Sequence, residues 1–281
     1  KCPQLLFYDV EKTLKPKLDF LSQLGLADFD LVKVILRDCT LLNRGLDTQI
    51  RPVINCLRNL LGSDENVARV IKKCSWLISY SGGKTIQDSL NVLQAFGCPD
   101  DKIKNVVLRY PIILKHNIKK LEQMLHRVEK EVGVSPDSTV FLNTVNVLSS
   151  MRQEMLDKKI GIFKSFGWSD DDILQMLRSL PECMGLSEVR IQEKLIFFTK
   201  ELGFAPAFLA SHPAILGYSL EKRVVPRMQV LKILDEKKVE RRLWHLYSVV
   251  SLSETKFIKW FVQPYKDQIP DLYEPLKKAV A

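Results

Sequence analysis

The sequence of 281 residues has no apolar run approaching the roughly 20 residues of a membrane span, so no spanning helix is expected. Its six cysteines (Cys2, Cys39, Cys56, Cys74, Cys98, Cys183) form no C-x-x-C pair and lie mostly in apolar periodic segments. They read as reduced core thiols. His116, His126, His212 and His245 show no H-E-x-x-H or other metal-ligand spacing, so no metal site is predicted. No nucleophile and base pair or carboxylate dyad stands out, so neither an enzyme, a cofactor nor a small-molecule substrate is expected. The run Asp170-Asp171-Asp172 follows Gly167-Trp168-Ser169 and reads more simply as a helix start than as a metal cluster.

A nucleotide-binding loop is also missing, although Ser79–Thr85 (SYSGGKT) ends as one would. The loop G-x-x-x-x-G-K-[ST] needs its first glycine where this chain has Ile78. An isoleucine cannot enter the backbone space that the bend requires. Lys84 therefore needs another explanation.

Hydrophobic residues make up 46% of the chain, ample for one large core or two smaller ones. The 42 basic and 33 acidic residues give a net charge of +9, which favours a polyanionic partner. Residues 1–140 hold 21 basic and 16 acidic residues and the remainder 21 and 17, so the surplus runs along the whole chain. The sequence begins at Lys1 rather than methionine, so a removed signal or transit peptide is not readable, and no transit peptide is expected within it.

What is present is a repeat. Similar apolar segments end at Gly25, Gly62, Gly97, Gly133, Gly167 and Gly203, with gaps of 37, 35, 36, 34 and 36 residues. After the glycines come helix-capping candidates, Asp28, Ser63-Asp64, Asp100-Asp101, Ser135 and Ser169-Asp170, and then a second stretch at helical spacing. That stretch closes on a short apolar run: TLL at 40, SWLI at 75, PIIL at 111, PECM at 181, PAIL at 213. One repeat is thus a first helix, a glycine C-cap, a second helix and a short redirecting turn. So small a unit buries its apolar face only by stacking, which predicts an all-α solenoid. The expected repeats are 17–42, 50–78, 85–114, 116–148, 155–184, 189–216 and 219–250 in one domain over 1–281, with 253–281 as a C-terminal cap. The fourth lacks a closing proline after FLNTVNVL (141–148).

The L-x-x-L-G, capped second helix and P-x-x-L or P-x-x-M closure over about residues 17–234 resembles the mitochondrial transcription termination factor (mTERF) family. It is best carried by 102–114 (KIKNVVLRYPIIL), 173–184 (ILQMLRSLPECM) and 219–234 (SLEKRVVPRMQVLKIL). The segment 253–262 (SETKFIKWFV) looks like the family's C-terminal signature. The resemblance implies a right-handed superhelix of about seven αα-plus-3₁₀ units. It also implies a basic concave groove for nucleic acid, in organelle gene expression, closest to the plant members. A mitochondrial location is expected, with chloroplast as the alternative. Tetratricopeptide and ankyrin signatures are absent, and pentatricopeptide repeats lack the P-x-x-L closure.

Nine residues on from Ser75, Pro111, Pro181 and Pro213 stand Lys84, Lys120, Arg190 and Lys222. A cation in a first turn opposes the helix dipole by a few tenths of a kcal/mol, so its recurrence points to a compensating role. A second basic row, Arg37, Lys73, Arg109 and Arg178, ends the second helices, where capping of carbonyls and phosphate contact are both open readings. Trp76, Tyr80, Tyr110, Trp168 and Tyr218 lie near repeat junctions, as inter-repeat packing or as base contacts, with packing favoured. The expected function is a nucleic-acid-binding solenoid acting in transcription regulation or termination as a monomer, with double-stranded DNA favoured over RNA. An RNA-binding splicing or ribosome-assembly factor and a protein-binding scaffold are the alternatives.

Overall fold

Glycine sets the period of the backbone. Gly25, Gly62, Gly97, Gly133, Gly167 and Gly203 all take positive φ, from 68° to 94°, and each ends a first helix. Lys238, at φ 53°, stands 35 residues beyond Gly203 and does the same without a glycine. The computed structural model describes residues 3–26, 28–79, 82–239 and 245–280, apart from the side chains of 82–84 and 278–280. Among them every regular element is helical, an all-α repeat fold.

The chain divides into two compact bodies, Lys1–Arg152 and Gln153–Ala281. In the N-terminal body a 3₁₀ turn, Pro3–Phe7, leads into α1 (Lys15–Gln23) and α2 (Asp28–Arg37). The next repeats are α3 (Arg51–Leu61) with α4 (Asp64–Lys73) and the short closing α5 (Trp76–Ser79), then α6 (Gly82–Ala95) with α7 (Asp100–Arg109), then α8 (Ile118–Arg127) with α9 (Phe141–Ser149). First helices pack on first helices, α3 on α6 and α6 on α8, while α2, α4, α7 and α9 pack in order as a second layer. The cause is amphipathic spacing. Val53, Ile54, Leu57 and Leu61 form one fully buried stripe of α3, and Val67, Val70 and Ile71 of α4 with Ile103, Val106 and Val107 of α7 continue the core. Each such side chain contributes about 1.5–3 kcal/mol on burial.

The C-terminal body repeats this with α10 (Gln153–Ser165) and α11 (Asp170–Ser179), then α12 (Glu188–Leu195), α13 (Pro206–Ser211) and the closing α14 (Ala214–Gly217). It ends with α15 (Val225–Glu236), α16 (Leu246–Ser251), α17 (Glu254–Phe261) and α18 (Glu274–Val280). Phe257, Phe261, Leu272 and Leu276 pack with Val230, Leu231 and Leu234 of α15 in one core.

Local rules recur. A polar or basic residue near the end of a first helix binds the aspartate opening the second, across the glycine: Arg58 to Asp64 (2.6 Å), Gln94 to Asp100 (2.7 Å), Lys164 to Asp170 (2.7 Å). Three first helices open as a wide π turn, Val10–Leu14, Leu46–Ile50 and Leu220–Val224, and in each a proline (Pro16, Pro52, Pro226) stands seven residues after the cap. Proline offers no N–H and its ring crowds the carbonyl of the preceding turn, so widening the turn relieves the clash.

Three expectations need correction. Ser135 caps nothing, because the second helix after Gly133 starts only at Phe141, where Ser138 Oγ accepts the Val140 N–H (3.4 Å). Asp28 is the first helical residue of α2 rather than its cap. Cys56, Cys74, Cys98 and Cys183 are free thiols, burial raising the last two to about 11 and about 12, but Cys39 is disulfide-bonded.

The backbone account is testable at two glycines. Gly97 sits at φ +91° with no atom within 4 Å of an added Cβ, so Gly97→Ala meets only backbone strain and should cost about 1–2 kcal/mol. Gly161 lies inside α10 with equally open space, so Gly161→Ala should stabilise by about 0.5–1 kcal/mol. Urea midpoints moving in opposite directions confirm the assignment; a loss of stability in both refutes it.

Candidate nucleic-acid interface

The cations at recurring repeat positions fall into three sets, distinguished by what their charged ends touch. The first stands in the opening turn of first helices, three residues after the cap. Ser187 Oγ accepts the backbone N–H of Arg190 (3.3 Å), and Ser219 Oγ that of Lys222 (3.1 Å). Such a cap satisfies one of the unpaired amides of a helix start and leaves the side chain of the third residue free to face solvent. Arg190 and Lys222 are exposed, and their side chains make no hydrogen bond or ion pair among the described residues. Lys120 of α8 is exposed at the same position, its ammonium 3.5 Å from the Ser149 carbonyl, at the limit of a hydrogen bond. Lys84 lies in the first turn of α6, and its side chain is outside the described residues.

Two residues join this set that counting from closing prolines did not find. Asp9 accepts the N–H of Lys12 (2.8 Å) and Ser253 that of Lys256 (3.3 Å), and both lysines are exposed and unpaired among the described residues. The signal was in the sequence as cap, two residues, cation: D-V-E-K at 9–12 and S-E-T-K at 253–256. The row is interrupted at Thr48, which follows the cap Gly45.

The second set ends the second helices. Arg37 donates to the Lys72 carbonyl (2.5 Å), and Lys73 to the carbonyls of Leu108 (2.7 Å) and Arg109 (3.4 Å). These are carbonyls at the end of the following repeat's second helix, not the cation's own. Of the two open readings, Arg37 and Lys73 therefore show capping, carried across the repeat boundary. Arg109 lies over the Tyr110 ring (5.5 Å) and lines a cleft of about 130 Å³ with Lys102, Asn105 and Asn143. Arg178 is exposed near the end of α11.

The third set is buried and was not anticipated. Lys17 donates to the Leu42 carbonyl (2.6 Å), Lys159 to Met184 (2.8 Å) and Lys194 to Tyr218, each from a first helix to the end of its own repeat's closing turn. Burial lowers the pKa of all three. Arg227 goes further. Fully buried, it donates to the carbonyls of Val249 (3.1 Å), Val250 (3.0 Å) and Leu252 (2.7 Å) and pairs with Glu254 (3.0 Å). Only a search for polar residues at core positions would have revealed this set.

The aromatic candidates divide as well. Trp168 is 3% exposed and packs on Phe163 (4.8 Å between centroids), which makes it core. Tyr218 lies under the Arg223 guanidinium (4.1 Å) and lines a cavity of about 290 Å³ with Arg190, Lys194 and Ser219. Trp76 has the Lys115 ammonium 5.1 Å from its ring; Tyr80 is outside the described residues.

Two discarded readings acquire structural replacements. Ile78 is buried in α5, and Ser79 hydroxyl bonds Asp38, so Trp76–Ser79 is a closing turn. Asp172 accepts the Ser169 N–H (2.9 Å) while Ser169 Oγ accepts the Asp172 N–H (3.1 Å), a capping box.

The chain is 24% identical over 243 residues to transcription termination factor MTERF8, chloroplastic, of Arabidopsis thaliana, covering 73% of this chain and 48% of that protein. It is 23% identical over 274 residues to transcription termination factor MTEF18, mitochondrial, of the same plant, covering 88% and 48%. It thus spans about half the length of these two curated relatives. The mTERF family profile matches residues 36–258, most of the chain and both helical layers, and the chain belongs to the mTERF family.

Proposed function

We propose that this chain binds nucleic acid, duplex DNA in preference to RNA, through the first-turn cations of its first helices, and acts in organellar transcription. The carrying observation is that Lys12, Arg190, Lys222 and Lys256 are exposed, lack a partner among the described residues and stand where the helix dipole disfavours a cation. A polyanion facing these turns turns that cost into attraction. Lys84 and Lys120 belong to the same row by position. The relatives named as transcription termination factors, one chloroplastic and one mitochondrial, support the process. The expected organelle is the mitochondrion, with chloroplast as the alternative.

Two substitution sets separate binding from architecture. Replacing Lys84, Lys120, Arg190 and Lys222 by glutamine should weaken binding similarly across sequences. It should flatten the plot of log K against log salt by about 0.9 per lost contact on duplex DNA and about 0.7 on single strands. Stability should shift by no more than about 0.5 kcal/mol per site. Arg37→Gln with Lys73→Gln should do the reverse, lowering the unfolding free energy read from urea titration by about 1 kcal/mol per site while leaving the salt slope unchanged. An unchanged slope in a folded quadruple variant sinks the first-row assignment; equal affinity for single-stranded RNA at matched salt sinks the preference for duplex DNA.

A further inference from the structure

The Pro3–Phe7 turn is built like the closing turns, but the described residues hold no pair of helices for it to close. Closing turns open at Cys39, Ser75, Pro111, Pro181 and Pro213, and six residues later stand the caps Gly45, Asn117, Ser187 and Ser219 of the first helices described there. Pro3 obeys the same register: Asp9 is the cap, and Lys12 follows three residues on. The turn also holds its place beside the next one, Asn43 Nδ2 donating to Gln4 Oε1 at 3.1 Å.

Burial shows what is missing. The fourth residue of a closing turn is covered by the two helices of its own repeat, and Leu42, Ile78, Leu114, Met184 and Leu216 are 0–5% exposed. Leu6, the same position, is 86% exposed, and Phe7 beside it 88%. The second layer has a matching gap. At the fifth and ninth residues of second helices, side chains reach the preceding repeat: Lys72 pairs with Asp30 (2.5 Å), Ala68 lies 4.0 Å from a Cβ at Gly25, and Lys104 Nζ 3.4 Å from one at Gly62. In α2 those positions are Val32 and Leu36, apolar and 51% and 64% exposed, with Phe29 one turn earlier at 68%. A stripe of this size on solvent marks a docking face.

We infer that Leu6, Phe7, Phe29, Val32 and Leu36 form the seat of one further two-helix repeat, supplied in cis by residues that precede this sequence in the natural polypeptide. The register of the Pro3–Phe7 turn selects this occupant over a second copy, because a closing turn is covalently joined to the repeat that covers it. The incoming second helix would lie along α2 as α2 lies along α4. Its own terminal cation would then reach the carbonyls at the end of α2, as Arg37 reaches Lys72.

The test compares the 281-residue chain with one extended through the roughly 35 preceding residues of its reading frame, one repeat length. In the extended chain the added residues should be protected from amide exchange, and α2 amides should exchange at least tenfold more slowly than in the shorter chain. Val32→Lys with Leu36→Lys should leave the unfolding midpoint of the shorter chain unchanged, because both side chains face water there. In the extended chain the same pair should abolish the added protection. The inference is overturned if the preceding residues exchange as an unfolded chain does, or if the pair is silent in both chains. It is equally overturned if the extended chain forms a dimer that the pair dissociates, which would assign the face to a second copy.

Discussion

Short helices end often, and every end leaves backbone carbonyls without an intrahelical partner. A fold made only of such helices must satisfy those carbonyls wherever stacking removes them from water. Left bare, each costs about 1–3 kcal/mol. This chain solves the problem with donors from elsewhere in the array. Within a repeat, Lys17, Lys159 and Lys194 reach from the first helix to the end of the closing turn. Ser89 makes a weaker version of the same contact, 3.5 Å from the Leu114 carbonyl. Between repeats, Arg37 and Lys73 reach forward to the next second helix. At the C-terminal end Arg223 and Arg227 together hold the carbonyls of Val249 to Leu252, tying α15 to α16. Stacking thus depends on cations as well as on apolar faces.

That constraint changes what the net charge of +9 means. A basic composition suggests a polyanion partner, yet part of the basic surplus is directed inward at carbonyls. Lys17, Lys159, Lys194 and Arg227 are buried, and a phosphate cannot approach them without opening the core. Among the recurring positions, the set left facing solvent is the one whose only local tie is a backbone amide held by a cap. The charge available for steering is accordingly smaller than composition implies, and it is distributed at helix starts in both bodies.

Much of the fold was legible because its determinants are local. A glycine at positive φ can be read from spacing, and all six glycines singled out by their period are left-handed. The closing turns follow from proline and short apolar runs, and the capping box follows from Ser169 and Asp172. Less legible were features requiring knowledge of what faces what. Lys238 takes the left-handed position normally held by glycine, so the period is invisible there. Arg37 and Lys73 look identical to phosphate ligands in the sequence, and only the carbonyls in front of them show capping. Lys12 was hidden because counting ran from the closing residues Ser75, Pro111, Pro181 and Pro213, and its own turn at Pro3 was not among them. Trp168 sits at a junction as a base platform would, but its ring is spent on Phe163.

The two kinds of cation also differ in how a substitution spreads. Lys73 joins α4 to the end of α7, so removing it disturbs two repeats at once. Arg190, Lys222 and Lys256 hold their helices through backbone amides bound to Ser187, Ser219 and Ser253, and those bonds persist whatever side chain follows. In a stack whose stability is a sum of neighbour terms, changes at such positions stay local. The first-turn positions can therefore carry a cation, Thr48 or another side chain without altering the array that presents them. Their electrostatic cost to the helix is small, a few tenths of a kcal/mol each. Recognition and folding are separable here because the serine cap, rather than the cation, closes the helix.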